Sequence, residues 1–244
     1  MRNVLVTGTN GGIGSAIAKH LVEEGFFVIG SDIGDDIHGL EAYISCDLEK
    51  FANEEATRDS ISRDLLDLIG DNGLHALVNN AAVLIPAALK DLSMADFAKT
   101  MSVNVTATLA LIKTLFSSLE KSRGSIVNIG SIHANLTKPG FVAYATSKAA
   151  LRGLTKSLTV ECGARVRVNL IEPAAISTPM LLEGFVNMPD KLDLLHEYHP
   201  AGRIGRPEEI ASLVSFMISG KCRFMNGAII PVDGGIASRL HDPV

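Results

Sequence analysis

Tyr144-Ala145-Thr146-Ser147-Lys148 sets a phenol and an ammonium four residues apart. On a helix that spacing puts both on one face, with Cβ atoms about 5–6 Å apart. A free tyrosine has a pKa near ~10 and is a poor base at neutral pH. An ammonium ~4 Å away is worth on the order of 4 kcal/mol at an effective dielectric of ~20, enough to lower the phenol's pKa by about 3. The spacing therefore predicts that Lys148 brings Tyr144 into the range for general acid–base chemistry. Ser131 ends the preceding apolar run, GSIVNIGS, where its hydroxyl can hold a carbonyl or alcohol oxygen beside Tyr144. His133, two residues on, is expected to face the same substrate. A Tyr-x-x-x-Lys alone is common by chance, so the reading depends on its surroundings.

The chain opens MRNVLVTGTNGGIG, an apolar run leading into a loop with four glycines. Between a strand and a helix, such a loop offers a phosphate the free N–H groups and partial positive charge of the helix N-terminus. Glycine serves where backbone must turn tightly or approach phosphate closely. Gly8, Asn10, Gly12, Ile13 and Gly14 are thus candidates to hold a dinucleotide's pyrophosphate, although the spacing G-x-x-x-G-x-G is weak evidence by itself. The next apolar run ends Gly30-Ser31-Asp32-Ile33. An acid there accepts hydrogen bonds from the adenosine ribose hydroxyls and repels a 2′-phosphate. Asp35 and Asp36 follow, and residues 7–14 contain no Lys or Arg. NAD is therefore the expected cofactor, with NADP less favoured.

The elements that must position these residues follow from apolar periodicity. Strands are expected at 4–6, 26–30, 42–45, 74–82, 124–131, 165–173 and 227–235, and helices at 13–24, 54–69, 94–119, 143–162 and 207–219. Ile13, Ala16, Ile17 and Leu21 form the stripe of the first helix, and Ile61, Leu65, Leu68 and Ile69 that of the second. Strands separated by helices predict right-handed βαβ crossovers. The expected fold is α/β, a Rossmann-type doubly wound parallel sheet of about seven strands with helices on both faces. No linker or repeat divides residues 1–244, so one domain is expected.

Composition bounds the partners. The formal net charge of −5 argues against general nucleic-acid binding, and 47% apolar residues suffice for a large core. Only Val4-Leu5-Val6 precede polar Thr7, too short for a secretory signal, and no unbroken apolar run reaches the ~18 residues of a membrane span. Cys46, Cys162 and Cys222 are read as reduced thiols in a cytoplasmic protein. No metal site is expected: His196 and His199 have no completing ligands in the sequence, and CxxC and HExxH are absent.

With these residues in view, the sequence resembles the short-chain dehydrogenase/reductase family over nearly its whole length. The family's T-G-x-x-x-G-x-G matches Thr7, Gly8, Gly12 and Gly14, and its N-N-A-G matches Asn79, Asn80, Ala81 and Ala82. Its catalytic asparagine, serine and Y-x-x-x-K match Asn104, Ser131, Tyr144 and Lys148. Its Asp-Leu beside adenine matches Asp47 and Leu48, and its P-G-x-x-x-T matches Pro173, Ala174 and Thr178. Two positions depart from the pattern, Ala82 and Ala174, each in place of glycine. The resemblance implies that Tyr144 is the acid/base, that Lys148 lowers its pKa and bonds the nicotinamide ribose, and that Ser131 orients the substrate oxygen. It implies a water held at Asn104 as a proton relay. It implies cofactor contacts from Ile176 and Thr178 at the carboxamide and from Asn80 and Ala81 on the adenosine side.

Residues 179–203 fall where that family keeps a mobile substrate lid. Met180, Leu181, Leu182, Phe185, Val186, Met188, Leu192 and Leu195 either pack the lid on the core or line a partly apolar pocket with Ile85, Phe141 and Val142. The expected substrate is a small alcohol or ketone. A homotetramer or homodimer is expected by analogy, and Pro231 suits an edge strand. Two alternatives stand beside the NAD-dependent dehydrogenase. One is an NADPH-dependent 3-oxoacyl reductase; the other is a catalytically silent dinucleotide-binding regulator.

Overall fold

The computed structural model describes residues 2–240. Strands and helices alternate as β1 (Asn3–Thr7), α1 (Gly12–Glu23), β2 (Phe27–Asp32), β3 (Ala42–Ser45), α2 (Leu48–Asn53), α3 (Glu55–Ile69) and β4 (Ala76–Asn79). There follow α4 (Met94–Met101), α5 (Ala107–Ser122), β5 (Ser125–Ile129), α6 (Val142–Cys162), β6 (Arg167–Pro173), α7 (Pro179–Glu183), α8 (Pro189–Tyr198), α9 (Pro207–Ile218) and β7 (Ile229–Val232). The seven strands form one parallel sheet in the order β3-β2-β1-β4-β5-β6-β7. The order reverses between β1 and β4, and a sheet of this kind binds ligands in the crevice at the strands' carboxyl ends there.

Both faces of the sheet are covered. Val4 and Val6 face one layer, where Ile17 and Leu21 of α1 meet Ile210, Val214 and Met217 of α9. Leu5 faces the other, with Leu65 and Ile69 of α3 and Leu111, Ile112, Leu115 and Leu119 of α5. Burying each such side chain contributes roughly 1.5–3 kcal/mol, so these helices are held by their stripes more than by intrinsic propensity.

The structure departs from the sequence reading in local detail. An additional helix, α2, begins at Leu48 because the Asp47 carboxylate caps it, accepting from Glu49 N at 2.9 Å and Lys50 N at 3.3 Å. Leu68 is exposed instead of joining the α3 stripe. The long helix expected at 94–119 is interrupted by a π-helical turn at Ser102–Thr106. The run Met94–Ser122 is long and apolar enough, at mean hydropathy 1.3, to cross a membrane, although it holds no unbroken apolar stretch of that length. Nearly half of its most apolar window (44%) is buried inside the fold, where α5 supplies core residues. β7 is an edge strand, as the missing N–H of Pro231 requires.

Candidate active site

Ser131, Tyr144 and Lys148 meet at the carboxyl end of β5. Helix α6 is fixed there by a buried chain of side-chain amides: Asn79 Nδ2 donates to Asn128 Oδ1 (2.8 Å), and Asn128 Nδ2 donates to Thr155 Oγ1 (2.9 Å). Ser131 is buried one residue beyond Gly130, whose N–H donates to Ile171 O at 2.7 Å. The Tyr144 hydroxyl is hydrogen-bonded to Ser131. Lys148, 2% exposed, donates from Nζ to Ile129 O at 2.9 Å and lies 5.5 Å from the Tyr144 ring centroid.

The electrostatics correct the first expectation. Burial pushes the Tyr144 phenol above its ordinary value, and only the Ser131 hydrogen bond opposes this. Lys148 is itself pushed down to about 8 by burial. The ammonium faces the ring and the Ile129 carbonyl, and desolvation disfavours both charged forms. Helical spacing brought the pair together but carried no information on their shared burial. An ammonium has three N–H donors, so two remain after the bond to Ile129.

Asn104 stands in the π-helical turn, a feature common at functional sites. Its side chain is spoken for: Oδ1 accepts from Val83 N (2.8 Å), and Nδ2 donates to Val83 O (3.0 Å) and Ser147 Oγ (2.9 Å). It ties the segment after β4 to α6. His133 donates from its backbone N to Ser131 Oγ at 3.2 Å. Its ring lies against Phe141 (centroids 4.6 Å apart) and edge-on to Tyr144 (5.9 Å). Burial and the Lys138 charge hold its pKa below the ordinary value, so the imidazole is neutral at pH 7.

The glycine loop has two duties. A Cβ on Gly14 would stand 2.0 Å from Gly8 O, and one on Gly12 would stand 2.8 Å from Thr178 Cγ2. These glycines thus admit the protein's own backbone and the base of segment 179–203. Gly11 caps α1 without a side-chain acceptor, leaving the first-turn amides for an outside anion. A cavity beside the loop is lined by Thr7, Asp32, Ile33, Asp47, Leu48, Ala81 and Ala82. An acid at its edge, apolar walls and free helix amides nearby fit the adenosine half of a dinucleotide.

Several expected cofactor residues serve as scaffold here. Asn80 Nδ2 donates to Thr7 O (2.9 Å) and Gly8 O (3.2 Å), and so locks the loop. Asn10 N donates to Asp32 Oδ2 (2.8 Å), while Asn10 Nδ2 holds Asp35 O (3.0 Å). Asp32 Oδ1 accepts from Ile33 N at 2.7 Å. Ile176 is buried in the core, and Ile13 packs at its margin. The cavity also contains residues the sequence did not flag. Lys99 and Glu49 line it and pair at 3.3 Å, though they belong to α4 and α2 and share no local pattern. Cys46 lines it with a thiol pushed up to about 12 by burial and the Asp47 charge, and so is unreactive.

Segment 179–203 is anchored at both ends. Ser177 N donates to Gly205 O (2.8 Å), Gly205 N donates to Ala175 O (2.9 Å), and Arg203 grips Glu209 with two bonds of 2.8 and 2.7 Å. Between these anchors Met180, Leu182, Val186 and Met188 are exposed and are not packed on the core. Among the described residues no group of His, Cys, Asp and Glu could hold a metal ion.

A family profile described as enoyl-(acyl carrier protein) reductase matches residues 8–237. The 2,5-dichloro-2,5-cyclohexadiene-1,4-diol dehydrogenase of Sphingobium indicum is 32% identical over 97% of both chains. A 3-oxoacyl-acyl-carrier-protein reductase of Haemophilus influenzae is 33% identical, covering 95% of this chain and 96% of its own. The ligand-free aldohexose dehydrogenase of Thermoplasma acidophilum superposes with a TM-score of 0.90 at 32% identity, covering 100% of this chain and 96% of its own. The chain belongs to the short-chain dehydrogenase/reductase family. Proteins of this family bind an NAD(P) dinucleotide, and the chain is an oxidoreductase interconverting alcohol and ketone by hydride transfer.

Proposed function

We propose that this chain is an NAD-dependent dehydrogenase acting on a secondary alcohol and its ketone, with Tyr144 as the acid/base. The observation that carries the reading is the Tyr144 hydroxyl bonded to Ser131 with buried Lys148 on the same helical face. A nicotinamide cofactor held along the loop and cavity supplies the hydride acceptor or donor. Tyr144 gives its proton to the carbonyl oxygen in reduction and takes it back in oxidation. Ser131 bonds the same oxygen and keeps it in reach. Lys148 uses its two uncommitted N–H donors toward the nicotinamide ribose and the phenol side. Asn104 fixes the chain after β4, and its backbone offers the relay water a partner. His133, neutral and wedged beside Tyr144, forms a wall of the substrate site.

The preference for NAD is supported by Asp32 at the cavity's edge, by Asp35 and Asp36 beyond it, and by Asn10, which holds that loop in place. Gly8, Gly12, Ile13 and Gly14 would frame the pyrophosphate; Asp47, Leu48, Ala81 and Ala82 would enclose the adenine. Asn80 acts as a strut, and Thr178, with the main chain at Ile176, would meet the carboxamide. Replacing Asp32 with Ala should narrow the NAD-over-NADP ratio of kcat/KM by about 10-fold or more, since it removes both a ribose acceptor and the charge that repels a phosphate. An unchanged ratio would mean that Asp32 does not touch the ribose.

The chain is read as one catalytic unit, although Met1 and residues 241–244 lie outside the described residues. Residues 179–203 serve as the substrate lid, whose exposed apolar side chains close over an uncharged substrate of modest size. Three free cysteines support a cytoplasmic location. The assembly is a homodimer or homotetramer. The likeness to a 3-oxoacyl reductase favours a second reading, reduction of a 3-oxoacyl thioester with NADPH. Retention of both Tyr144 and Lys148 opposes a silent regulator.

A further inference from the structure

Glu172 is a buried carboxylate that the chemistry above leaves unused. It lies near the end of β6 and is 3% exposed. Its neighbour Ile171 faces the α1–α9 layer, so alternation turns Glu172 to the opposite face, toward α6. Arg152 meets it there, with Nε 3.1 Å from Glu172 Oε1. Arg152 follows Lys148 by four residues and Tyr144 by eight, so all three share a face of α6. Its Nη1 donates in turn to Asn135 Oδ1.

One end of this chain of contacts lies against the segment that carries Ser131, and the other is hydrogen-bonded into it. At one end, Glu172 Cγ would lie 3.2 Å from a Cβ on Gly130, the residue before Ser131. At the other, Asn135 closes the turn that Ser131 opens: Ala134 N donates to Ser131 O and Asn135 N to Ile132 O, both at 3.0 Å. A buried carboxylate deprived of its partner is strongly destabilising, so Arg152 is held in one place. The Nε–Oε1 contact is an ion pair without hydrogen-bond alignment, so charge holds Arg152 to Glu172, and the hydrogen bond from Nη1 ties it to Asn135.

We propose that Glu172, Arg152 and Asn135 form a positioning clamp that pins the Ser131–Asn135 turn to the catalytic helix and so sets the placement of the Ser131 hydroxyl against Tyr144. The clamp rests on the reading of Ser131 as the group that holds the substrate oxygen. None of its three members touches the reacting atoms.

Four variants test it: Arg152→Leu, Arg152→Lys, the double variant Arg152→Leu/Glu172→Leu, and Asn135→Ala. Each is read by kcat, KM, NADH affinity, melting temperature and backbone hydrogen exchange across 131–136. Arg152→Leu should lower both melting temperature and kcat, the latter by about 10–100-fold, because small misplacements near reacting atoms cost that much. The double variant removes the stranded charge and should regain the melting temperature while kcat stays low. Arg152→Lys keeps the charge but cannot bridge both partners, and should fall between. Asn135→Ala, at an exposed residue, should leave the melting temperature unchanged, lower kcat and speed exchange in the turn. NADH affinity should stay within about threefold throughout. Recovery of wild-type kcat in the double variant would overturn the clamp, as would wild-type kcat and exchange in Asn135→Ala. Should the parent protein turn over no alcohol or ketone, the hydride-transfer reading of the site fails, and hydrogen exchange alone still decides whether the turn is clamped.

Discussion

Tyr144→Phe should lower turnover by about 10²–10⁴-fold, the usual worth of a positioned acid/base, while NADH affinity changes by less than about threefold. The substitution removes one oxygen from a half-buried ring packed against His133 and Phe141, so packing is kept. What disappears is the proton and its hydrogen bond to Ser131. Steady-state rates and NADH fluorescence titration on the same preparation separate the two effects. Turnover at even a tenth of the parent rate would remove Tyr144 from the reaction.

Lys148→Met should abolish most activity and yet make the cofactor-free protein more stable at neutral pH. The Lys148 pKa falls from 10.5 to about 8 on burial, so holding its charge inside the fold at pH 7 costs about 3 kcal/mol. Methionine removes that cost but leaves the buried Ile129 O without its donor, a loss of about 1–3 kcal/mol. The net gain of up to about 2 kcal/mol corresponds to a rise of up to about 8 °C in melting temperature for a chain of this size. The sign fixes the pH window. A lysine with a depressed folded value is fully penalised below about 8, and the penalty fades as pH rises toward 10.5. The advantage of Lys148→Met should therefore be largest at pH 7 and shrink steadily between pH 8 and 10.5. A variant less stable than the parent at pH 7 would contradict the account of Lys148 as a strained, buried cation.

The parts of the site that were readable in the sequence are local ones. Tyr144 and Lys148 stand one helical turn apart, and Gly8 to Gly14 occupy a single strand–helix junction. Asp32 ends the strand beside it, so short-range spacing was enough to place each. The sheet was readable for the same reason, because runs such as Val4–Val6 and Arg167–Pro173 carry their own periodicity. The remainder depends on long-range contact. That Lys148 is itself held low follows from burial beneath Ile129, which no spacing reports. The π-helical turn at Asn104 lies inside an apolar run that reads as plain helix. The side chain it carries there, Asn104, bonds to Val83 and Ser147, some 21 and 43 residues away. Asn10 and Asn80 have the right types for ligand contact, and their amide nitrogens also brace the loop, which no spacing reports. Lys99 with Glu49, and Arg152 with Glu172, are pairs formed only by packing.

NAD-dependent hydride transfer at Tyr144 is tested by the near-ultraviolet absorbance of reduced nicotinamide, followed with NAD and with NADP against polyols, sugars, hydroxy acids, steroids and 3-hydroxyacyl thioesters. That absorbance should grow with at least one secondary alcohol, with a kcat/KM for NAD about 10-fold or more above that for NADP, and the signal should be lost in Tyr144→Phe. No reduction of either cofactor across the whole panel, by a protein that binds NAD, would contradict it.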